Sequence, residues 1–229
     1  MDNISLYEDI KARTGGEIYL GVVGPVRTGK STFIRRFMDL CVIPSILDPN
    51  EKKRIIDELP QAGVGKTVMT TEPKFIPKTG IEIPLSNNVK AKFRLIDCVG
   101  YIVDSAQGVY EDDKERLVKT PWFDENIPFS KAAQTGTEKV IRDHSTIGIV
   151  MTTDGSIGEF TRDDYISAEE KAIMELKKIK KPFIVIVNST FPASDFTRKI
   201  ANEISEKYEV TALPTDWNTD GIETCLLHG

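Results

Sequence analysis

The sequence predicts an α/β protein with a mostly parallel central sheet. Short apolar runs alternate with segments whose apolar residues recur at helical spacing, as in a sheet covered by helices. A glycine-containing loop joins the first apolar run to the first helical segment. The 229 residues suffice for one domain with a sizeable core, and 40% apolar with 28% charged residues is an ordinary globular composition.

The elements are expected in the following order. Strands are predicted at 17–23, 91–96, 147–151, 183–187 and 208–213, and helices at 31–40, 168–180 and 194–206. The run 183–187 is apolar throughout, which is typical of a strand with both faces covered. Ser167 and Glu170 form a capping-box pattern at the start of the second helix. The segments 44–80 and 98–135 lack clear periodicity and are expected to be long functional loops.

The loop after the first strand reads Gly24-Pro25-Val26-Arg27-Thr28-Gly29-Lys30-Ser31, and Thr32 follows it. It fits the phosphate-loop pattern of Gly, four residues, Gly, Lys and then Ser or Thr. Such a backbone turns its N–H groups toward phosphate oxygens, and the helix that follows adds its positive N-terminal end. We expect Lys30 to contact the β- and γ-phosphates and the Ser31 hydroxyl to ligate Mg²⁺. The residues from Gly24 to Thr32 therefore predict a nucleoside triphosphate site.

A second motif follows the predicted strand 91–96. Asp97 can hold Mg²⁺ directly or through water, and Gly100, three residues later, can offer its N–H to the γ-phosphate. Thr70 and Thr71 lie between the first helix and this strand, where a switch threonine that senses the γ-phosphate through Mg²⁺ belongs. Which of the two threonines acts stays open.

The predicted site residues fall into three groups. The expected metal ligands are Ser31, Asp97, Thr70 and Thr71. The expected catalytic residues are Lys30, Asp97, Thr70, Thr71 and Arg27. The nucleotide-binding set consists of the loop from Gly24 to Thr32, with Gly100 and Asn188.

Asn188 directly follows the apolar run 183–187 and is the first residue of the segment that should face the base. GTPases read guanine here with Asn-Lys-x-Asp, whereas this chain has Asn188-Ser189-Thr190-Phe191. Without the Asp carboxylate, guanine loses a charge-assisted pair of hydrogen bonds. The sequence therefore predicts ATP in preference to GTP.

The chain lacks the glutamine that positions water in Ras-like proteins, because Tyr101 follows Gly100. This predicts slow hydrolysis, or hydrolysis that needs a group supplied elsewhere. Arg27, inside the phosphate loop, is one candidate for stabilising the developing charge. Arg162 could serve another subunit, and the competing interpretation is a surface arginine that makes salt bridges.

Composition excludes several other classes. The formal net charge of -5 disfavours nucleic acid as the main partner. The three cysteines show no CxxC spacing and are interpreted as free thiols in a reducing cytoplasm. The N-terminus does not resemble a secretory signal, and no apolar stretch approaches the roughly 20 residues that span a bilayer.

With these motifs in place, the sequence resembles the stage IV sporulation protein A family of endospore-forming bacteria. The matching segments are the phosphate loop through Met38, TVMTTEPKFIP from Thr67, LIDCVGY around Asp97, TTDGSIGEF from Thr152 and KPFIVIVNS from Lys181. The resemblance spans nearly all of residues 1–217. It implies a three-layer P-loop NTPase of the translation-factor-related (GTPase-like) class that uses ATP and Mg²⁺.

The resemblance also implies a process. Family members bind and hydrolyse ATP and then polymerise into the basement layer of the spore coat around the forespore. The implied partners are further copies of the chain, a small amphipathic membrane-bound peptide and other coat proteins, at the forespore surface in the mother-cell cytoplasm. Family members extend far beyond 229 residues, so 1–217 is interpreted as the ATPase domain and 218–229 as an irregular tail left by truncation.

Two alternatives remain open. A regulatory GTPase acting in ribosome assembly or translation shares the loop and the Asp97 motif but needs a guanine reader. A structural scaffold with a vestigial nucleotide site is disfavoured by the intact Lys30, Ser31 and Asp97.

Overall fold

A computed structural model describes residues 15–60, 72–86, 89–103, 106, 109–111, 114–158 and 160–217. The strands are β1 Glu17–Val23, β2 Lys74–Ser86, β3 Val89–Asp97, β4 Tyr110–Glu111, β5 Lys114–Glu115, β6 Leu117–Thr120, β7 Phe123–Pro128, β8 Ile147–Thr153, β9 Phe183–Asn188 and β10 Ala212–Thr215. The helices are α1 Lys30–Phe37, α2 Pro49–Glu58, α3 Phe129–Lys139, α4 Arg162–Lys178 and α5 Asp195–Tyr208. Short π-helical turns, Met38–Val42 and Val140–His144, extend α1 and α3.

The central sheet has the strand order β10-β9-β8-β1-β3-β2. All neighbours pair in parallel except β2 and β3, which are antiparallel. Because β1 lies between β3 and β8, its carboxyl end opens in the middle of the sheet. Ligands of open α/β sheets bind outside the carboxyl ends of the strands, so this is where a site is expected.

Helices cover both faces of the sheet, because side chains of each strand alternate between two cores. Val150 and Val185 face a core that includes side chains of α3, α4 and α5. Ile149, Met151 and Ile186 face a second core that includes side chains of α1 and α2. The predicted three-layer α/β arrangement follows from this alternation.

Two predicted boundaries were wrong. The helix predicted at 168–180 begins at Arg162, and its capping box joins Thr161 to Asp164 rather than Ser167 to Glu170. The strand predicted at 208–213 lies at 212–215 instead. Residues as far as Tyr208 belong to α5, which ends where Glu209 takes a left-handed conformation with φ of 52°.

The two segments predicted as long loops contain regular structure. The first holds α2 and the start of β2, and the second holds the β6–β7 hairpin and the start of α3. The pattern of α2 is weak because Ile55 is its one buried residue. Residues 61–71 and the tail 218–229 lie outside the described residues. None of the helices in the described ranges has the length and apolar character that crossing a membrane requires.

Candidate nucleotide-binding site

The phosphate loop leaves β1 at the centre of the sheet and lies directly against β8. Gly24 has a φ of 123°, and a Cβ on it would lie 2.2 Å from the carbonyl oxygen of Met151. Only glycine fits both that conformation and that distance. The loop therefore starts from a fixed point on the neighbouring strand, and it ends where α1 begins at Lys30.

Lys30 is the buried cation of the site. Its side chain is 5% exposed, and Nζ donates a hydrogen bond to the Pro25 carbonyl oxygen at 2.5 Å. Burial lowers the pKa of Lys30, which the nearby Cys98 and Asp97 partly oppose. The Thr28 hydroxyl also donates to the Pro25 carbonyl, at 3.0 Å. The loop thus surrounds the ammonium, and the Pro25 carbonyl accepts from both Lys30 and Thr28.

Ser31 and Asp97 meet beside this lysine. The Ser31 hydroxyl donates to Oδ2 of Asp97 at 2.7 Å. The other carboxylate oxygen, Oδ1, is buried and has no hydrogen-bond partner among the described residues. Burial raises the pKa of Asp97, although Ser31 and Lys30 lower it in part. A hydroxyl beside a carboxylate with an unused buried oxygen fits the hard oxygen ligands that Mg²⁺ prefers.

The loop after Asp97 is bonded to the phosphate loop through the backbone. The Tyr101 N–H donates to the Gly24 carbonyl at 3.0 Å, and the Val26 N–H donates to the Tyr101 carbonyl at 2.9 Å. Gly100 has a φ of 95°, and a Cβ on it would lie 2.2 Å from the Gly24 oxygen and 2.7 Å from Nζ of Lys30. The phosphate loop and the loop after Asp97 are therefore in direct contact.

Asn188 lies beneath the phosphate loop. Its side chain is fully buried, and Nδ2 donates to the Thr28 carbonyl at 3.1 Å. Its Oδ1 accepts from the Trp217 N–H at 3.3 Å. The Trp217 ring packs edge-on against Phe33 of α1, with 4.5 Å between centroids. Asn188 thus links the loop to the segment after β10, and both ends of its amide bind backbone.

The two arginines lie on the α4 side of the loop. Arg27 has a left-handed backbone, with a φ of 66°. Burial raises the pKa of Tyr165 to about 12, and the positive charge of Arg27 opposes that rise. Arg162 donates two hydrogen bonds to the carboxylate of Glu169, so the geometry favours a salt bridge. The expected surface position was wrong, because the two side chains are 16% and 2% exposed. Thr70 and Thr71 lie outside the described residues.

Sequence reasoning missed Asp154, which follows β8. Its carboxylate accepts hydrogen bonds from Ser189 Oγ at 2.5 Å, Thr197 Oγ1 at 2.6 Å and Ser156 Oγ at 2.6 Å. Burial alone raises the pKa of Asp154, but the hydrogen bonds from Ser156, Ser189 and Thr197 outweigh it and hold the pKa below its ordinary value. We call these four residues the Asp154 cluster. The Asp-Gly-Ser turn pattern at 154–156 was the one signal that could have pointed to it.

Comparison with known proteins decides the family. The model for the stage IV sporulation protein A ATPase domain matches residues 1–224. The chain belongs to the stage IV sporulation protein A family. Family members of that name from Clostridioides difficile strain 630 and Bacillus subtilis strain 168 are 56% identical over 212 residues and 51% identical over 213 residues. Each alignment covers 93% of this chain and 43% of the relative, so the chain spans less than half the length of these family members.

The fold of this family domain also resembles a solved structure. A variant of Era from Aquifex aeolicus, bound to GDP and aluminium fluoride, superposes with a TM-score of 0.50 and 16% sequence identity. The match covers 91% of this chain and 54% of Era. At this identity the likeness concerns the fold alone, and it agrees with the predicted α/β fold with a mostly parallel central sheet.

Proposed function

We propose that this chain binds ATP with Mg²⁺ and hydrolyses it slowly, as the ATPase domain of a spore-coat morphogenetic protein. The observation that carries the proposal is the meeting of Ser31 and Asp97 at 2.7 Å beside the buried Lys30. A phosphate cradle, a cation and a pair of oxygen ligands are the three parts that phosphoryl transfer requires of a P-loop protein.

Lys30 and the loop amides would hold the triphosphate. On binding, Nζ of Lys30 exchanges the Pro25 carbonyl for phosphate oxygens, while Thr28 keeps its hydrogen bond to that carbonyl. The exchange places a desolvated ammonium against an anion, where a charge-assisted hydrogen bond is strong.

Ser31 and Asp97 would hold Mg²⁺, which would neutralise charge that develops on the phosphates. Thr70 and Thr71 remain the candidates for sensing the γ-phosphate. Lys74, three residues after Thr71, pairs with Asp97 across the β2–β3 register, so the chain re-enters the sheet beside the proposed metal ligand.

The proposed preference for ATP rests on the residues after β9. Phe191 stands where a guanine-reading protein has a carboxylate, so guanine would leave its N1–H and amino donors without an acceptor there. Slow turnover follows from Tyr101 at the position after Gly100, and Arg27 remains the proposed charge-stabilising group.

The biological setting is also part of the proposal. ATP hydrolysis would license self-assembly into the basement layer of the spore coat, at the forespore surface of the mother cell. A small amphipathic membrane-bound peptide and other coat proteins are the proposed partners. The proposed ATPase domain is 1–217. In this mechanism each subunit needs to hydrolyse ATP only once, and the loss of the γ-phosphate would release the two switch segments.

Single-turnover hydrolysis tests the enzymatic part. Lys30→Ala should weaken Mg-ATP binding by at least about tenfold, because a hydrogen bond to a charged group contributes about 1.5–3 kcal/mol. Thermal unfolding of the nucleotide-free variant serves as the folding control. Equal single-turnover hydrolysis of ATP by the wild type and by Lys30→Ala would contradict the proposal. A strong preference of the wild type for GTP over ATP would favour the regulatory GTPase.

Light scattering tests the assembly part. The chain should scatter more with Mg-ATP than with a non-hydrolysable analogue or without nucleotide. Assembly that proceeds equally in all three conditions would separate polymer formation from hydrolysis.

A further inference from the structure

The two sides of the phosphate loop differ in chemistry. Asp97 lies on β3, on one side of β1, and it brings the proposed metal site to that side. Asn188 reaches the loop from β9, on the opposite side. A triphosphate whose γ end points to Asp97 therefore leaves its nucleoside over the carboxyl ends of β8, β9 and β10, the usual position for a ligand of an open α/β sheet.

Phe191 lies at this end of β9 with a fixed backbone and an exposed ring. Its N–H donates to Ser189 Oγ at 2.9 Å, and its carbonyl accepts from the Ser194 N–H at 3.0 Å, with Thr197 Oγ1 3.1 Å away. The side chain is nevertheless 69% exposed. A large apolar ring held on a rigid backbone in water is a preorganised contact surface, because little conformational freedom is lost when a ligand covers it.

The Asp154 cluster explains why this backbone is fixed. Ser189, which accepts from the Phe191 N–H, and Thr197, whose Oγ1 lies next to the Phe191 carbonyl, both donate to the Asp154 carboxylate. Ser156 donates to the same carboxylate and accepts from the Thr190 N–H at 3.0 Å. One buried carboxylate thus joins the loop after β8, the loop after β9 and the start of α5.

We propose that Phe191 packs against the purine of the bound nucleotide and that Asp154 is the positioning residue for this base subsite. The inference rests on the proposed function and adds a side chain that would contact the base. A phenyl ring offers no hydrogen bonds but stacks on the face of any purine, as aromatic side chains do in single-strand nucleic-acid sites. Phe191 therefore supplies affinity for the base without distinguishing adenine from guanine.

The test separates the base from the phosphates. Calorimetry on the full 229-residue chain with Mg²⁺ compares ATP, GTP and inorganic tripolyphosphate. Phe191→Ala should weaken ATP and GTP alike, by about 5- to 150-fold for the loss of one stacked base, and should leave tripolyphosphate within about twofold. Phe196→Ala is the matched control, since this neighbouring phenylalanine is 59% exposed, and it should leave all three affinities unchanged.

Several results would overturn the assignment of Phe191. Unchanged ATP affinity in Phe191→Ala, a parallel loss of tripolyphosphate binding, or an equal loss in Phe196→Ala would each do so. Failure of the proposed function gives a different result, because the wild-type chain would then bind neither ATP nor tripolyphosphate.

The positioning role has its own measurement. Asp154→Asn replaces one acceptor oxygen by an NH₂ donor that faces the hydroxyls of Ser189 and Thr197. It should lower the affinity for ATP and leave the affinity for tripolyphosphate unchanged, so the ratio of the two affinities should fall. An unaltered ratio, or an equal fall in both affinities, would show that Asp154 supports the fold in general and not the base subsite.

Discussion

Replacing Arg162 by alanine removes the cation from a buried ion pair. Nη1 of Arg162 lies 2.5 Å from Oε2 of Glu169, and Nη2 lies 2.9 Å from Oε1. The two side chains are only 16% and 2% exposed. The Thr152 hydroxyl also donates to Oε2 at 2.6 Å. Arg162→Ala therefore leaves the Glu169 carboxylate almost fully buried, with the Thr152 hydroxyl still donating to it.

The expected loss of stability follows from leaving the Glu169 carboxylate buried without its cation. Removing one partner of a buried pair costs about 3–5 kcal/mol, against a total stability of about 5–15 kcal/mol for a typical domain. Glu169→Ala should cost less, because the guanidinium is more exposed and keeps the Thr153 carbonyl, at 3.3 Å, as an acceptor. The double variant Arg162→Met with Glu169→Leu should recover most of the loss, since a well-packed apolar pair often replaces a buried ion pair without penalty.

Urea unfolding followed by tryptophan fluorescence measures these differences. Lys199→Ala, from an exposed pair on α5 with Glu203, is the control and should leave the free energy of unfolding unchanged. A loss below about 1 kcal/mol in Arg162→Ala, with an unchanged m-value, would refute the reasoning. ATP turnover per folded molecule should be unaffected by Arg162→Ala. A fall in turnover without a fall in stability would instead support a catalytic role for this arginine.

Two further predictions concern buried titratable groups. Burial raises the pKa of Asp97 above its unfolded value, so the wild-type fold loses stability as pH rises through that raised pKa. Without nucleotide, the melting temperature of Asp97→Asn minus that of the wild type should therefore increase from about pH 4 to about pH 8. Mg-ATP should no longer stabilise the variant. Scanning fluorimetry measures both, and a difference in melting temperature that does not change with pH would contradict the prediction. Burial raises the pKa of Cys98 to about 11, so its alkylation by iodoacetamide at pH 8 should be about 100-fold slower in the native chain than in urea. Mass spectrometry of the Cys98 peptide measures this, and rapid native labelling would contradict the burial.

The phosphate loop and the Asp97 motif could be predicted because their information is local. The order of strand, loop and helix around Lys30 is continuous in the chain, and Asp97 ends a strand that alternates visibly. The start of α4 could not be predicted in this way. Thr161 with Asp164 and Ser167 with Glu170 both satisfy the capping pattern, and the choice depends on tertiary contacts that the local pattern does not contain.

The missed parts of the candidate site are non-local. The Asp154 cluster joins Asp154 to Ser189, 35 positions away, and to Thr197, 43 positions away. Asn188 was placed near the nucleotide from its motif, but its amide contacts Thr28 and Trp217, a partnership that no spacing rule suggests. Folding alone brings such groups together, so a single sequence shows the residue types without their pairing.

The bridge between Pro25 and Tyr101 is made of peptide groups alone. Every amino acid except proline supplies the same N–H, so the two hydrogen bonds themselves do not depend on the side chains of Val26 and Tyr101, which are buried in one core. A displacement of the phosphate loop is therefore transmitted to the loop after Asp97 through the backbone, and the reverse holds as well. Proline at position 26 or at position 101 would remove one of these two hydrogen bonds and leave the other.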